Sequence, residues 1–147
     1  ILNNNYKMKR MLTEVKGVSM SWAEEAPHRL EQVRYSFEKL YKDTGVSAED
    51  VNRHLLDFGF QRFFASHHPL IVPEPFTPEP TESYSKADID EYVDALVQIS
   101  NEAYTTPAVV LNAPYAGPIS KLENDHIKDW RELCVTWRAY KKQNGLA

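Results

Sequence analysis

The stretch VRYSFE at residues 33–38 alternates apolar and polar side chains, and it decides the fold class. Its apolar members fall on one face of an extended chain and its polar members on the other, which predicts a half-buried β-strand. The same alternation in VSMSW at residues 18–22 predicts a second strand. A helix over residues 29–41 is the alternative interpretation of the first stretch.

Helices are predicted on both sides of this strand pattern. Two pairs have the sequence of a capping box, in which the first side chain accepts the backbone N–H three residues on. These pairs are Ser47 with Asp50 and Ser85 with Asp88. We therefore expect one helix over Ala48–Phe58, stopped by Gly59, and a long helix after Ser85 that ends near Thr105. Residues 108–112 are expected to add one further turn.

Both ends of the chain have helical spacing. Residues 1–15 place apolar side chains at three- and four-residue steps, with Gly17 as the stop. The pattern begins at Ile1 itself, which leads us to expect further sequence upstream. Residues 125–142 also have helical spacing, built largely on aromatic side chains.

Residues 60–81, the crossing segment, contain five prolines. Proline lacks an N–H, so this segment cannot be a helix or a central strand throughout. We expect a short strand at residues 70–72 and an edge strand at residues 76–79. An interdomain linker is the alternative interpretation, but the segment is too apolar for a solvated linker.

Together these elements predict an α+β domain with a small antiparallel sheet and helices packed on one face. The 147 residues fit a single domain. We divide it into a leading helix at 1–16, the α+β domain at 17–120 and a helical tail at 121–147.

Composition excludes several classes of function. The net charge is −4 and basic residues are spread along the chain, which argues against a nucleic-acid partner. No apolar run reaches the roughly 20 residues of a membrane span. The single cysteine, Cys134, cannot form an intrachain disulfide and is expected to be a small buried apolar residue. A cytoplasmic location is expected.

No complete active site is visible in the residues alone. His67 and His68 are adjacent, so on a strand they would point to opposite faces, which argues against a shared metal. Glycines are scattered singly, so no phosphate-binding loop is predicted. The acidic residues at 79–82 are interpreted as a turn rather than paired catalytic carboxylates. His54 is interpreted as a solvated helix residue rather than a base.

Four motifs, in order, resemble the C-terminal region of glycine dehydrogenase P-proteins, especially the subunit-2 form. They are ILNNNY with KR at residues 1–10, DTGVSAEDV with LLDFGF at 43–60, PLIVPE with EPTESYSK at 69–86, and LNAPY at 111–115. Tyr115 stands where that family commonly has His. Residues 65–68 are longer and differently ordered than the corresponding family segment.

The resemblance implies the small C-terminal domain of a fold-type-I, aminotransferase-like enzyme. In that family the lysine that forms the Schiff base with pyridoxal phosphate lies upstream of the matched residues, so no lysine here is assigned that role. The implied reaction decarboxylates glycine and passes the aminomethyl group to the lipoyl arm of H-protein. The implied partners are the cofactor-binding domain or subunit, H-protein and further subunits of an oligomer, and this fragment alone is expected to be inactive.

Loops of the small domain complete the active site in such enzymes. The expected lining residues are His67, His68, Thr81 and Glu82, with Asn112 and Tyr115 as second choices. Two alternatives remain: a stand-alone protein-interaction module, and part of another aminotransferase-like decarboxylase.

Overall fold

The computed structural model describes residues 1–25, 27–30, 32–66, 71–79, 82–118 and 136–146. Its helices and strands follow in chain order. They are α1 (Leu2–Glu14), β1 (Ser19–Met20), β2 (Tyr35–Ser36), α2 (Glu38–Thr44), α3 (Ala48–His54) continued by a 3₁₀ helix (Leu55–Phe58), β3 (Pro75–Phe76), α4 (Lys86–Thr105), α5 (Pro107–Leu111) and α6 (Trp137–Gln143).

The three strands form one antiparallel sheet with β2 in the centre. The α+β class and a strand in each of the two alternating stretches are therefore confirmed, although each strand is only two residues long. The expected half-burial of β2 is wrong, because Ser36 is buried as well as Tyr35. The helix alternative over residues 29–41 is wrong for Tyr35–Ser36, because α2 begins only at Glu38. Packing of all helices on one face of the sheet and the fold-type-I architecture stay predictions.

The crossing segment supplies the edge strand, but not where it was expected. The strand is Pro75–Phe76, slightly earlier than the predicted 76–79. The predicted strand at 70–72 is wrong at Ile71 and Val72, which lie in no strand, and Leu70 lies outside the described residues. The reason is that Pro73 has no N–H to donate; its carbonyl instead accepts the Ser36 hydroxyl at 2.6 Å.

Phe76 is the centre of the core. It is fully buried, and its ring stacks on Phe37 at 4.2 Å and on Tyr35 at 5.1 Å between ring centroids. Phe63, from the earlier half of the crossing segment, packs on the same ring at 5.0 Å. The Phe76 ring therefore joins the central strand to both halves of the crossing segment.

Both predicted capping boxes are confirmed, at the N-termini of α3 and α4. The predicted helix over Ala48–Phe58 continues past His54 as a 3₁₀ turn, and Gly59 ends it at a positive φ of 82°. Helix α4 ends at Thr105 as predicted, and α5 supplies the further turn expected beyond it.

Helix α4 is the scaffold on which α1, α2, α3 and α5 pack. Arg10 of α1 reaches two of its carboxylates, at 2.9 Å to Asp90 and 2.7 Å to Asp94. The Tyr6 hydroxyl donates to Asp90 at 2.6 Å. These contacts fix the register of α1 along α4.

Gly17 lets the chain turn directly against α2. Its φ is +76°, and a Cβ there would lie 2.9 Å from backbone atoms of Leu40. A glycine is therefore required both by the turn and by the close approach.

At the C-terminal end, α6 agrees with the final part of the helix predicted over 125–142, and residues 119–135, with Cys134, lie outside the described residues. None of the described helices combines the length and the apolar character that crossing a bilayer requires.

We expect Phe76→Ala to lower the free energy of unfolding by about 3–5 kcal/mol, because it opens a cavity among three rings. Urea unfolding followed by circular dichroism measures this. Phe64→Ala is the matched control: Phe64 is 49% exposed on the same segment, and we expect a loss of about 1 kcal/mol or less. Equal losses in the two variants would contradict the central role of Phe76.

Candidate active-site cleft

A cleft of about 640 Å³ lies between α1, α4 and the crossing segment. Both halves of the crossing segment form its wall, through residues 60–64 and 77–79, and Ile89 and Tyr92 of α4 face them. Lys7 is the member of α1 that lines it. The volume lies within the range of small-molecule sites.

Hydrogen bonds to backbone groups of the crossing segment hold the cleft wall in place. The buried Asn52 side chain receives the N–H of Phe63 at 2.7 Å and donates to the Phe63 carbonyl at 3.1 Å. Thr77 donates its N–H to the Phe64 carbonyl at 2.8 Å, which joins the two halves of the segment. The wall is therefore fastened both to α3 and to itself.

Lys7 is 2% exposed, although it carries an amine. Its Nζ donates to the Pro78 carbonyl and lies 5.8 Å from the centre of the Tyr35 ring. Burial lowers the pKa of Lys7 to about 7, and the charge of Glu79 only partly opposes this. Near neutral pH this amine can therefore hold or release a proton.

A second polar cluster lies where α3 and α4 meet the loop after α5. His54 is 5% exposed, and its two ring nitrogens each lie 2.8 Å from a carboxylate oxygen, of Asp57 and of Glu102. The other oxygen of Asp57 accepts the N–H groups of Tyr115 and Ala116, both at 2.6 Å. Asp57 therefore fastens the loop at 113–116 to the end of the 3₁₀ helix.

A family model described as "Glycine dehydrogenase, C-terminal domain" matches residues 1–115. The chain belongs to this family. Among similar proteins, the probable glycine dehydrogenase (decarboxylating) subunit 2 of Pyrococcus furiosus is 40% identical over 142 residues, which are 97% of this chain and 27% of that protein. Its namesake from Coxiella burnetii is 35% identical over 147 residues, 99% of this chain and 28% of that protein. The chain thus spans about a quarter of the length of the curated relatives that it matches.

The glycine dehydrogenase motifs meet in space. Asp57 belongs to the LLDFGF motif, and the residues whose N–H groups it accepts belong to or follow the LNAPY motif. The expected lining residues Asn112 and Tyr115 lie here: Asn112 ends α5, and the Tyr115 hydroxyl donates to the Val109 carbonyl at 2.7 Å. Neither belongs to the lining of the cleft.

The other expected lining residues belong to the crossing segment or the turn that follows it. Glu82 is exposed in the turn before α4, between the cleft-lining residues Glu79 and Tyr84. His67, His68 and Thr81 lie outside the described residues. Of the three expected residues that the structure describes, Glu82 lies near the cleft, and Asn112 and Tyr115 lie at the loop after α5.

The interpretation of His54 as a solvated residue is wrong. The residue is buried because Glu102, 48 positions later, brings a carboxylate to its second ring nitrogen. The local sequence indicates only the pairing of His54 with Asp57, which lies three residues on and therefore on the same helical face.

Lys7 is a site residue that the sequence analysis does not predict. The spacing along α1 indicates its burial, because the buried residues of this helix follow at three- and four-residue steps. They are Asn4, Lys7, Met8 and Met11.

We expect the free energy of unfolding to rise with pH, because the buried Lys7 ammonium destabilises the fold until it loses its proton. Its folded pKa of about 7 lies below the ordinary value of 10.5, so the unfolded chain binds more protons between these values and stability rises with pH. Between pH 7 and 9.5, the unfolding free energy of the wild type should gain about 1 kcal/mol or more relative to Lys7→Met. Urea unfolding at both pH values measures it. Lys9→Met, at an exposed position of the same helix, should show no such change.

We expect Asp57→Asn to cost about 2 kcal/mol at pH 7, because a charged acceptor of three hydrogen bonds is lost. Burial opposes ionisation, but the N–H of Ala116, the His54 ring and the N–H of Tyr115 together hold the pKa of Asp57 below its ordinary 3.8. The stabilisation by Asp57 is therefore complete above pH 3.8, the ordinary pKa of the group, and is lost as the pH falls through the folded pKa. Urea unfolding at pH 7 and pH 3, with the exposed Glu24→Gln as control, measures this; a constant difference between the two pH values would refute it.

Proposed function

We propose that this chain is the C-terminal domain of a pyridoxal-phosphate-dependent glycine dehydrogenase (decarboxylating), and that it closes the active site over a cofactor held by the rest of the enzyme. The observation that carries the proposal is the cleft: its wall is the crossing segment, which contains family motifs, and its floor includes α1, which contains another. The curated relatives are named as a subunit 2, and this name supports the proposal that a partner subunit exists.

The described residues do not by themselves form a site for the cofactor phosphate. Such a site needs several free N–H donors. At the N-terminus of α4, beside the cleft, the N–H of Asp88 is already taken by the Ser85 hydroxyl at 3.2 Å. Among the described residues that line the cleft, the three carboxylates of Glu79, Asp88 and Glu91 stand against the two basic side chains of Lys7 and Arg62. This donor set fits a domain that completes a site rather than one that holds the phosphate.

The proposed role of this chain is accordingly to exclude water from the active site and to orient the groups that react there. When bound, pyridoxal phosphate supplies the electron sink for decarboxylation. The aromatic residues at 60–64, fastened by Asn52, exclude water from the reacting centre. His67, His68, Thr81 and Glu82, with Asn112 and Tyr115, are the proposed lining residues. H-protein is the proposed acceptor of the aminomethyl group, in a cytoplasmic oligomer.

A stand-alone interaction module is the competing function. It is favoured by apolar side chains that remain exposed, since such residues mark docking surfaces when they lie together. Trp22 is 55% exposed, Leu30 79% and Ile71 76%. The two proposals differ in whether the chain can complete an enzyme.

Two experiments test the proposal. The chain alone, incubated with pyridoxal phosphate and borohydride, should show by mass spectrometry only scattered, substoichiometric labelling of exposed lysines; stoichiometric labelling of one lysine would contradict the assignment. In the second, this chain replaces the matching C-terminal region of the Pyrococcus furiosus relative, assembled with its partner subunit. We expect this chimera to exchange labelled CO₂ with glycine in the presence of H-protein, whereas the relative truncated before that region should not.

Within the same chimera, His67→Ala combined with His68→Ala should lower turnover about tenfold or more while the unfolding temperature stays unchanged. His28→Ala, at an exposed histidine, is the matched control. A folded chimera with no exchange activity would favour the interaction module, and wild-type turnover in the double variant would remove the two histidines from the site.

A further inference from the structure

Several buried polar atoms on α1, β2 and α4 have no hydrogen-bond partner among the described residues. They are Nδ2 and Oδ1 of Asn4 and the hydroxyls of Tyr35 and Tyr92. Asn4 is 3% exposed and Tyr35 fully buried. Buried polar groups are nearly always hydrogen-bonded, so a cluster of unsatisfied ones is a place where a polar ligand can bind.

Each of the three residues is connected to Lys7 by a different observation. Asn4 lies one helical turn before it on the same buried face of α1. The Tyr35 ring lies under the amine, 5.8 Å from Nζ, and Tyr92 lines the cleft with Lys7. The Phe60 ring packs edge-on against Tyr92 at 5.4 Å, which fixes the orientation of that side chain.

The cluster consists mainly of donors. Burial raises the pKa of the Tyr35 and Tyr92 hydroxyls, so both keep their protons at neutral pH. The ammonium of Lys7 has three N–H groups and uses one on the Pro78 carbonyl. Converging donors with one positive charge match a carboxylate, whose two oxygens accept several hydrogen bonds and which carries one negative charge.

We propose that the inner end of the cleft is a binding site for a small carboxylate, held by the Lys7 amine and the Tyr92 hydroxyl, with Asn4 and Tyr35 beside it. A phosphate dianion fits less well, because Glu79, Asp88 and Glu91 also line the cleft and repel two negative charges more strongly than one. The aromatic wall at Phe60 and Phe63 packs against the organic part of the ligand. This site requires no cofactor, so it stands or falls independently of the proposed enzyme.

The test uses the 147-residue chain and follows the Lys7 side chain by NMR as pH is raised, with and without ligand. Acetate is the probe for a carboxylate alone, glycine for a carboxylate with an ammonium, and methylammonium for an ammonium alone. Acetate at about ten times its dissociation constant should move the titration midpoint of Lys7 up by about one pH unit, because it binds the ammonium form. Glycine should act in the same direction, and methylammonium should not.

Two variants keep the test decisive. Lys7→Met should abolish the acetate-induced shifts at neighbouring residues, whereas Lys9→Met should retain them. Tyr92→Phe keeps the amine and should weaken acetate binding about tenfold. No acetate response in the folded wild type, an unchanged response in Lys7→Met, or tighter binding of inorganic phosphate than of acetate would each overturn the proposal.

Discussion

The stacking of Phe76 between Tyr35, Phe37 and Phe63 is the contact on which the rest of the structure depends. A sheet of three two-residue strands has too few ladder hydrogen bonds to hold itself together. Burial of four aromatic side chains supplies what the ladder lacks. Because two of these rings, Phe63 and Phe76, belong to the crossing segment, the packing that stabilises the sheet also positions the wall of the cleft.

Buried polar groups then set the finer geometry, and they fall into two kinds. Asn52 and Asp57 are hydrogen-bonded to backbone groups of Phe63, Tyr115 and Ala116. Such satisfied groups fix one arrangement of the chain. Asn4 and Tyr92 keep buried atoms that find no hydrogen-bond partner within the described ranges of the chain. Unsatisfied groups of this kind reduce stability, and this is the reason to assign the second kind to ligand binding rather than to the fold.

The family motifs acquire a physical meaning in this arrangement. The aspartate of LLDFGF is not a surface residue of a helix end; it is the acceptor that holds the loop after LNAPY. Glu74, the last residue of PLIVPE, reaches back to the N–H of Ala48 at 2.6 Å, next to the capping box of α3. Motifs separated by tens of residues are thus structural partners, which explains why they occur together in one domain.

The sequence by itself determined the features that depend on local periodicity and capping. Helices α1, α3 and α4, the two alternating strands and the glycine stops follow from side-chain spacing and from the hydrogen bonds of Ser47 and Ser85, which act within one turn of helix. Tertiary structure alone decided which partners His54 and Lys7 meet, because Glu102 and Pro78 are 48 and 71 residues away in the chain. A charged side chain on a helix has the same local sequence whether its partner is water or a distant residue, and only the packing of one helix on another distinguishes the two.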